Sequence, residues 1–554
     1  MKMTGAQILI ETLIEQGVDT VFGYPGGAVL NIYDALYENR DRLRHVISAH
    51  EQGAAHAADG YARVSGKVGV VIATSGPGAT NLITGIANAY LDSVPLVAVT
   101  GNVSCDLIGR DSFQEVDIMG MTLPVTKHNY IVKDVNKLAD TIREAFSIAK
   151  SGRPGPVLID IPKDVQIKSA DFSPAPSVSP KFPAPEFEDE EIEEAAKMIS
   201  EAKRPYIYCG GGVVSCEASE EVLALARLID APIGCSMMGL HAVPADDPRM
   251  LGMNGMHGRY SSSKAQSESD LVIALGVRFS DRATGNKSKY AKGAKILHID
   301  VDEAEIDKNI TSHLSICADL KEALDALLPK LSKKTNPEWD ARIDELKKFE
   351  AENSAGFIGG LSPYFIIEEV SRRVPASAPI ATDVGQHQMW VAQRYAFKKP
   401  RTFVSSGGLG AMGFGLGAAI GSAVASGERT VLFTGDGSFG MNLNELATAV
   451  SQNLPIVIII MNNGVLGMVR QWQGMFYNEH YSETTLNRKT DFVKLAEAFG
   501  AAGFRAKNGD EFTACLDKAL SINGPALIDC VIDMDEKVLP MIPPGGSVEQ
   551  LIIK

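Results

Sequence analysis

Gly435-Asp436-Gly437 followed, after 24 residues, by Asn462-Asn463 is the arrangement in this 554-residue chain with the most definite chemistry. Asp436 and the side-chain oxygen of Asn463 are hard oxygen donors of the kind Mg²⁺ takes, and a backbone carbonyl can complete the set. Both fall at the carboxyl ends of predicted strands, Thr430–Thr434 and Ile456–Met461, where open α/β sheets bind their ligands. The glycines let the backbone approach a diphosphate closely, and a helix opening at Asp436 would point N–H groups at it. Gly210-Gly211-Gly212, after a strand predicted over Tyr206–Tyr208, is a weaker diphosphate turn. Gly276-Val277-Arg278-Phe279-Ser280-Asp281-Arg282 carries two arginines, and the planar guanidinium of Arg282 suits a carboxylate bidentately. Glu51 follows the apolar Val46-Ile47 and opens an Ala-rich helix, so it stands near a strand-to-helix turn. By itself that position also suits a carboxylate on a helix dipole.

These groups need elements to hold them. Short β-branched runs alternate with helical patterns along the chain, for instance Val68–Ala73, Pro95–Thr100, Val157–Ile161, Leu271–Leu275 and Ile296–Asp300. The runs are apolar on both faces, as buried parallel strands are. The expected fold is α/β, with three doubly wound parallel-sheet domains. Domain limits are expected at 1–166, 190–330 and 361–535, with linkers at 167–189 and 331–360 and a tail at 536–554. The first linker has five prolines and a terminal acidic run, read as preventing regular structure; the second has a helical stretch near Trp339 to Phe349. The segments starting at Val68 and Arg429 share one plan of strand, Gly-rich turn, helix, Pro, strand and Asn, so the first and third domains read as related copies.

Composition narrows the classes. With 53 basic and 68 acidic residues the net charge is −15, which favours neither nucleic acid nor an anionic membrane. No apolar run approaches the roughly 18 residues of a membrane span. Seven cysteines, odd in number and without a CxxC, argue against a disulfide framework or zinc site and for a reducing cytoplasm. No Gly-x-Gly-x-x-Gly stands at a strand-to-helix turn with an acid about 20 residues on, against a nicotinamide dehydrogenase.

The Gly435-Asp436-Gly437 and Asn462-Asn463 pair resembles the thiamine-diphosphate and metal motif of thiamine-dependent decarboxylases and carboligases. Asp383-Val384-Gly385-Gln386-His387 is similar to that family's diphosphate-contacting strand end, and the glycine-rich stretch from Gly407 to Gly421, with Gly410, to its segment beneath the thiazolium. The resemblance implies that Met412 wedges between the coenzyme rings, and that Gly26, Gly437, Ser438, Gly467 and Met468 also line the coenzyme. It implies that Glu51, in His50-Glu51-Gln52-Gly53-Ala54-Ala55, is the acid that engages the aminopyrimidine ring, a task that needs an apolar setting.

That signature leaves decarboxylases, oxidases and carboligases open. Tyr24-Pro25-Gly26-Gly27-Ala28, Phe113-Gln114-Glu115, Pro162-Lys163-Asp164-Val165 and Asn462-Asn463-Gly464-Val465-Leu466-Gly467-Met468-Val469-Arg470-Gln471-Trp472 resemble segments of the acetohydroxyacid synthases. The arginine segment is similar to one in their FAD-containing biosynthetic members, departing from it at Ser280 and Ala283. The resemblance implies decarboxylation of pyruvate and transfer of the two-carbon unit to a second 2-keto acid, pyruvate or 2-ketobutyrate, at the first common step of branched-chain amino-acid synthesis. It assigns Gly27, Gln114, Lys163, Arg282, Met412 and Trp472 to the reacting site beside Glu51. Arg282 would hold the acceptor's carboxylate and Trp472 would narrow its pocket. FAD would lie against Phe113, Arg153, Gly210, Gly211, Gly212, Met256, His257, Gly258, Arg278, Asp281, Arg282, Asp300, Glu305 and Asp319, without net redox. Asp436, Asn463 and Val465 would hold Mg²⁺. Also implied are a homodimer or homotetramer, a separate regulatory small subunit as partner, and a lid formed by the tail. A pyruvate oxidase-like flavin–thiamine enzyme is the nearest alternative, and a non-catalytic coenzyme-binding scaffold a further one.

Overall fold

The computed structural model describes residues 1–180, 183–354, 356, 358 and 360–554. Three six-stranded sheets, every neighbouring pair parallel, form its frame. In the first the strands run in the order Arg44–Ile47, Thr20–Tyr24, Gly69–Ala73, Leu96–Asn102, Pro156–Pro162 and His128–Ile131. In the third the order is Phe403–Val404, Ile380–Thr382, Thr430–Gly435, Ile456–Asn462, Ala526–Val531 and Ala502–Ala506. Counted along the chain, both sheets have the strand order 2-1-3-4-6-5. The middle sheet runs Met250–Met253, Ile233–Cys235, Pro205–Cys209, Leu271–Leu275, Lys295–Asp300 and Leu314–Cys317. The α/β class with three parallel sheets is thus as expected from the apolar runs. Central strands such as Gly69–Ala73 and Leu271–Leu275 are buried along their whole length because helices cover both faces.

The first and third units meet through two small-residue helices, Glu51–Ser65 and Phe414–Ser426. A Cβ at Gly60 would lie 2.2 Å from the carbonyl oxygen of Ala418, and one at Gly421 1.8 Å from that of Ala57. Only glycine admits so close a crossing. The contact places the turn carrying Glu51 against the unit carrying Asp436, and one apolar core runs through both.

The connections are more ordered than their composition suggests. Ser169–Asp171 forms a strand antiparallel to Lys2–Thr4, which ties the chain start to the first linker. The acidic run is the first turn of the helix Asp189–Glu201, closed by a capping box at Glu188; carboxylates are favoured there by the helix dipole. Prolines exclude regular structure only between these points. In the second linker the helix Pro337–Asn353 buries Trp339, whose indole N–H donates to the Pro205 carbonyl, so it docks on the middle unit. Residues 181 and 182 of the first linker and 355, 357 and 359 of the second lie outside the described residues. The tail folds over the middle unit: Ile542 N–H donates to the Met256 carbonyl, Asn286 N–H to that of Gly546, and Met541 bridges to Ile552.

Candidate active site

At the carboxyl edge of the third sheet, three strand ends converge. Asp436 opens the helix that follows Thr430–Gly435, and Asn463 directly follows Ile456–Asn462. Gln386 joins them, its amide oxygen 3.3 Å from Asn463 Nδ2, and its Nε2 donates to the Glu536 carbonyl and to Gln471. Ser438 Oγ donates to the Val384 carbonyl at 2.8 Å. The end of Met412 reaches toward Gly437, 3.8 Å from where a Cβ would stand. Asn463 Oδ1 accepts from Val465 N–H, which turns the loop back toward the cluster, and Gly467 and Met468 start the next helix. Burial pushes the Asp436 carboxyl up to about 6, with backbone N–H groups of Gly437 and Asn463 offsetting part of the desolvation. Among the described residues no cationic side chain pairs with it. A buried carboxylate beside a carboxamide oxygen, within range of the Arg488 charge but ion-paired with no cation among the described residues, fits a divalent cation. His387 adds a second sign of fit: its Nε2 is buried and unpartnered, and burial lowers the ring to about 3. Asp383, which opens this segment, accepts from Val384 N–H, Gly413 N–H and the Thr434 hydroxyl, fixing the turn.

The first sheet holds Glu51 at the N-terminus of its helix, with His50 as the cap. Asn81 Nδ2 donates to Glu51 Oε2 at 2.9 Å. Gly26 packs on Thr74, whose hydroxyl accepts from Ala28 N–H, while Gly27 is exposed beside it. Gln114 adopts a left-handed φ of 58° against Gly76, and Phe113 next to it is 87% exposed. Lys163, exposed, begins the helix after Pro156–Pro162. These positions share the carboxyl edge of the first sheet. Among the described residues no hydrogen bond or ion pair within the chain joins Glu51 to the Asp436 cluster.

The middle sheet repeats the pattern at five strand ends. Gly210–Gly212, Met256–Gly258, Gly276–Arg278 and Asp319 follow Pro205–Cys209, Met250–Met253, Leu271–Leu275 and Leu314–Cys317, and Asp300 ends the strand Lys295–Asp300. A Cβ at Gly210 would lie 1.8 Å from the Gly276 carbonyl oxygen, so two of these ends touch backbone to backbone. His257 Nδ1 is buried without a partner, and Arg278 has no acidic partner among the described residues. Burial raises the Asp300 carboxyl to about 6. This edge is the ligand-binding edge of such a sheet and fits a dinucleotide. Arg153 reaches it from the first unit, pairing with Glu305 at 2.7 Å. Asp319 Oδ1 caps the helix Leu320–Leu327, and Asp281 is exposed.

A cavity of about 680 Å³ joins the middle and third units, lined by Arg282, Met468, Val469, Trp472, Gln473, Phe476, Tyr477, Asn478 and His480. The Arg282 guanidinium lies over the Trp472 ring, 5.5 Å from its centroid, and Nη1 is 3.4 Å from Met256 Sδ. The indole Nε1 of Trp472 is buried and unpartnered. Sequence reading missed Asn81, Thr74 and the cavity wall from Phe476 to His480. No motif marks the wall, and Asn81 acts only because a turn brings it beside Glu51.

Strand-end oxygens, glycine turns and first and third sheets of one strand order make an α/β site suited to a diphosphate and a divalent cation. Three family models match: the thiamine pyrophosphate enzyme N-terminal TPP binding domain over residues 3–121, the central domain over 192–327 and the C-terminal TPP binding domain over 383–530. The chain belongs to the thiamine pyrophosphate enzyme family. Within it, the chain is 46% identical to the acetolactate synthase isozyme 2 large subunit of Escherichia coli, with all of both chains covered. It is also 46% identical to a probable acetolactate synthase large subunit of Methanocaldococcus jannaschii, covering 99% of this chain and 95% of the relative. The acetolactate synthase large subunit of Corynebacterium glutamicum is again 46% identical, over 99% and 89%.

Proposed function

We propose that this protein is the catalytic large subunit of an acetolactate synthase, joining the two-carbon unit of pyruvate to a second 2-keto acid. The observation that carries this reading is the cavity where Arg282 stands over Trp472 beside Met468, on the helix that follows the Asn463 turn. It offers a carboxylate-binding cation and an apolar wall next to the coenzyme end. Thiamine diphosphate, when bound, supplies a carbon nucleophile and accepts the electron pair released as carbon dioxide leaves. Glu51 holds and returns a proton at the ring nitrogen of the aminopyrimidine, and Asn81 fixes its carboxyl. Asp436, Asn463 and the Val465 carbonyl would hold Mg²⁺ against the diphosphate, with Gln386 and Ser438 bracing the turn. Met412 would pack against the bound coenzyme beside Gly437. Arg282 orients the acceptor through its carboxylate, and Trp472 limits its size, admitting pyruvate or 2-ketobutyrate. Gln114, Gly27 and Lys163 close the site from the first unit.

The five strand ends of the middle sheet would hold FAD, through Gly210–Gly212, Arg278 and His257, as a structural group. Glu51 and the Asp436 cluster share no hydrogen bond or ion pair among the described residues, and a homodimer or larger assembly would let each site draw on two subunits. The large-subunit naming of the relatives supports a small regulatory partner. Among the described residues no helix is long and apolar enough to cross a membrane. The test is incubation with pyruvate, thiamine diphosphate and Mg²⁺, with and without FAD, quantifying acetolactate, acetate and oxygen uptake. Acetolactate is expected; acetate formed with oxygen consumption would replace this reading by an oxidase.

A further inference from the structure

A buried charged network outside the reacting groups connects the first unit to the loop that carries Gly410 and Met412. Asp92 lies at the C-terminal end of the helix Ile83–Leu91, and its side chain is fully buried. Its two oxygens accept from consecutive backbone amides of the loop, Gly407 N–H at 3.0 Å and Gly408 N–H at 2.7 Å. Arg63, also buried, holds Asp92 at 2.9 Å and Asp59 at 2.5 Å. Asn88 donates to Asp59 and accepts from the Ser406 hydroxyl, which in turn accepts from Ala411 N–H. Thus the loop is gripped at 406–408 from the first unit, tied to itself between 406 and 411, and held at 413 by Asp383 of the third. Between these grips Gly410 has a left-handed φ of 69° and Met412 stands half-buried.

We propose that Asp92, held by Arg63, is a positioning residue: it fixes the loop 406–412 from the neighbouring unit and thereby presets Met412 for the coenzyme. This rests on the thiamine-diphosphate reading of Met412. The chemistry argues for a dedicated device. Burying two acids with one arginine is costly unless each oxygen is satisfied, and the loop amides supply the missing donors. Carboxylate oxygens bonded to two successive amides also define the direction of the chain entering Gly410, which one neutral acceptor would not do.

The test uses the full-length protein stripped of coenzyme. Asp92→Asn keeps shape and leaves Arg63 its Asp59 partner, but only one strong acceptor remains for the two amides. Binding of thiamine diphosphate with Mg²⁺ should weaken about tenfold, while KM for pyruvate at saturating coenzyme stays within about twofold. Ser406→Ala, which frees Ala411 N–H, should weaken coenzyme binding about threefold, and it carries the test if Asp92→Asn does not fold. In coenzyme-free protein, amide exchange over 405–413 should speed up in either variant while helix Glu51–Ser65 is unchanged. Wild-type coenzyme affinity and wild-type exchange in the variants would overturn the proposal. If the parent protein itself fails to bind thiamine diphosphate, the coenzyme reading fails instead, and the exchange measurement still decides whether Asp92 anchors the loop.

Discussion

Arg282→Gln separates the two halves of the proposed reaction. The guanidinium is tethered lightly: its side chain is 63% exposed, Asp281 stands 3.8 Å away and is itself exposed, and Met256 Sδ and the Trp472 ring are its other neighbours. Removing it therefore strands no buried charge, and global stability should move by less than about 0.5 kcal/mol. What is lost is the hydrogen-bonded pairing with the acceptor's carboxylate. A bond to a charged group is worth about 1.5–3 kcal/mol, and exposure places this one toward the lower end, about 1.5–2 kcal/mol. That corresponds to a fall of roughly 10- to 30-fold in kcat/KM for the acceptor. The assay pairs a single turnover, reading carbon dioxide released from enzyme-bound pyruvate, with steady-state acetolactate formation at varied acceptor. The single-turnover release should keep its rate, while acceptor saturation shifts upward. An equal loss in both measurements, or a fall in kcat at unchanged acceptor KM, would refute the assignment of Arg282 to the second substrate.

Three other outcomes are expected. Glu51→Gln should lower acetolactate formation by at least about 100-fold, with coenzyme affinity changed only a few-fold, as read by product assay and titration of the coenzyme-free protein. Gly421→Ala drives a methyl into the Ala57 carbonyl at the helix crossing and should cost about 3 kcal/mol, seen as a lower denaturant midpoint. Burial pushes the Asp160 carboxyl up to about 7 despite bonds from Thr100 and Asn102, so the folded state binds the extra proton. Stability should then fall as pH rises from about 4 to 7, and Asp160→Asn should flatten that slope in denaturation at pH 5 and pH 8. A steeper slope in the variant would reverse the sign of the argument.

How much of this was legible without coordinates depends on the range of the interaction. Thr430–Gly435 and Ile456–Asn462 announce themselves, because a strand buried on both faces is written as an uninterrupted β-branched run. Asp436 and Asn463 follow by position, since strand ends in such sheets are ligand edges. The common strand order of the first and third sheets was foreshadowed by their shared turn-helix-Pro pattern. The acidic run before residue 190 misled, because charge density reads as solvated coil until a cap at Glu188 makes it a first helical turn.

The sequence alone determined the parallel α/β class, the strand-end oxygens and the kinship with thiamine enzymes, since all three depend on residues close along the chain. Tertiary structure decided what depends on distant segments meeting. It put Asn81 on Glu51, Arg282 over Trp472 and Asp92 under Gly407 and Gly408. Such meetings are set by how helices cross and sheets stack, and the crossing at Gly60 and Gly421 is legible only once Ala418 and Ala57 are seen against them.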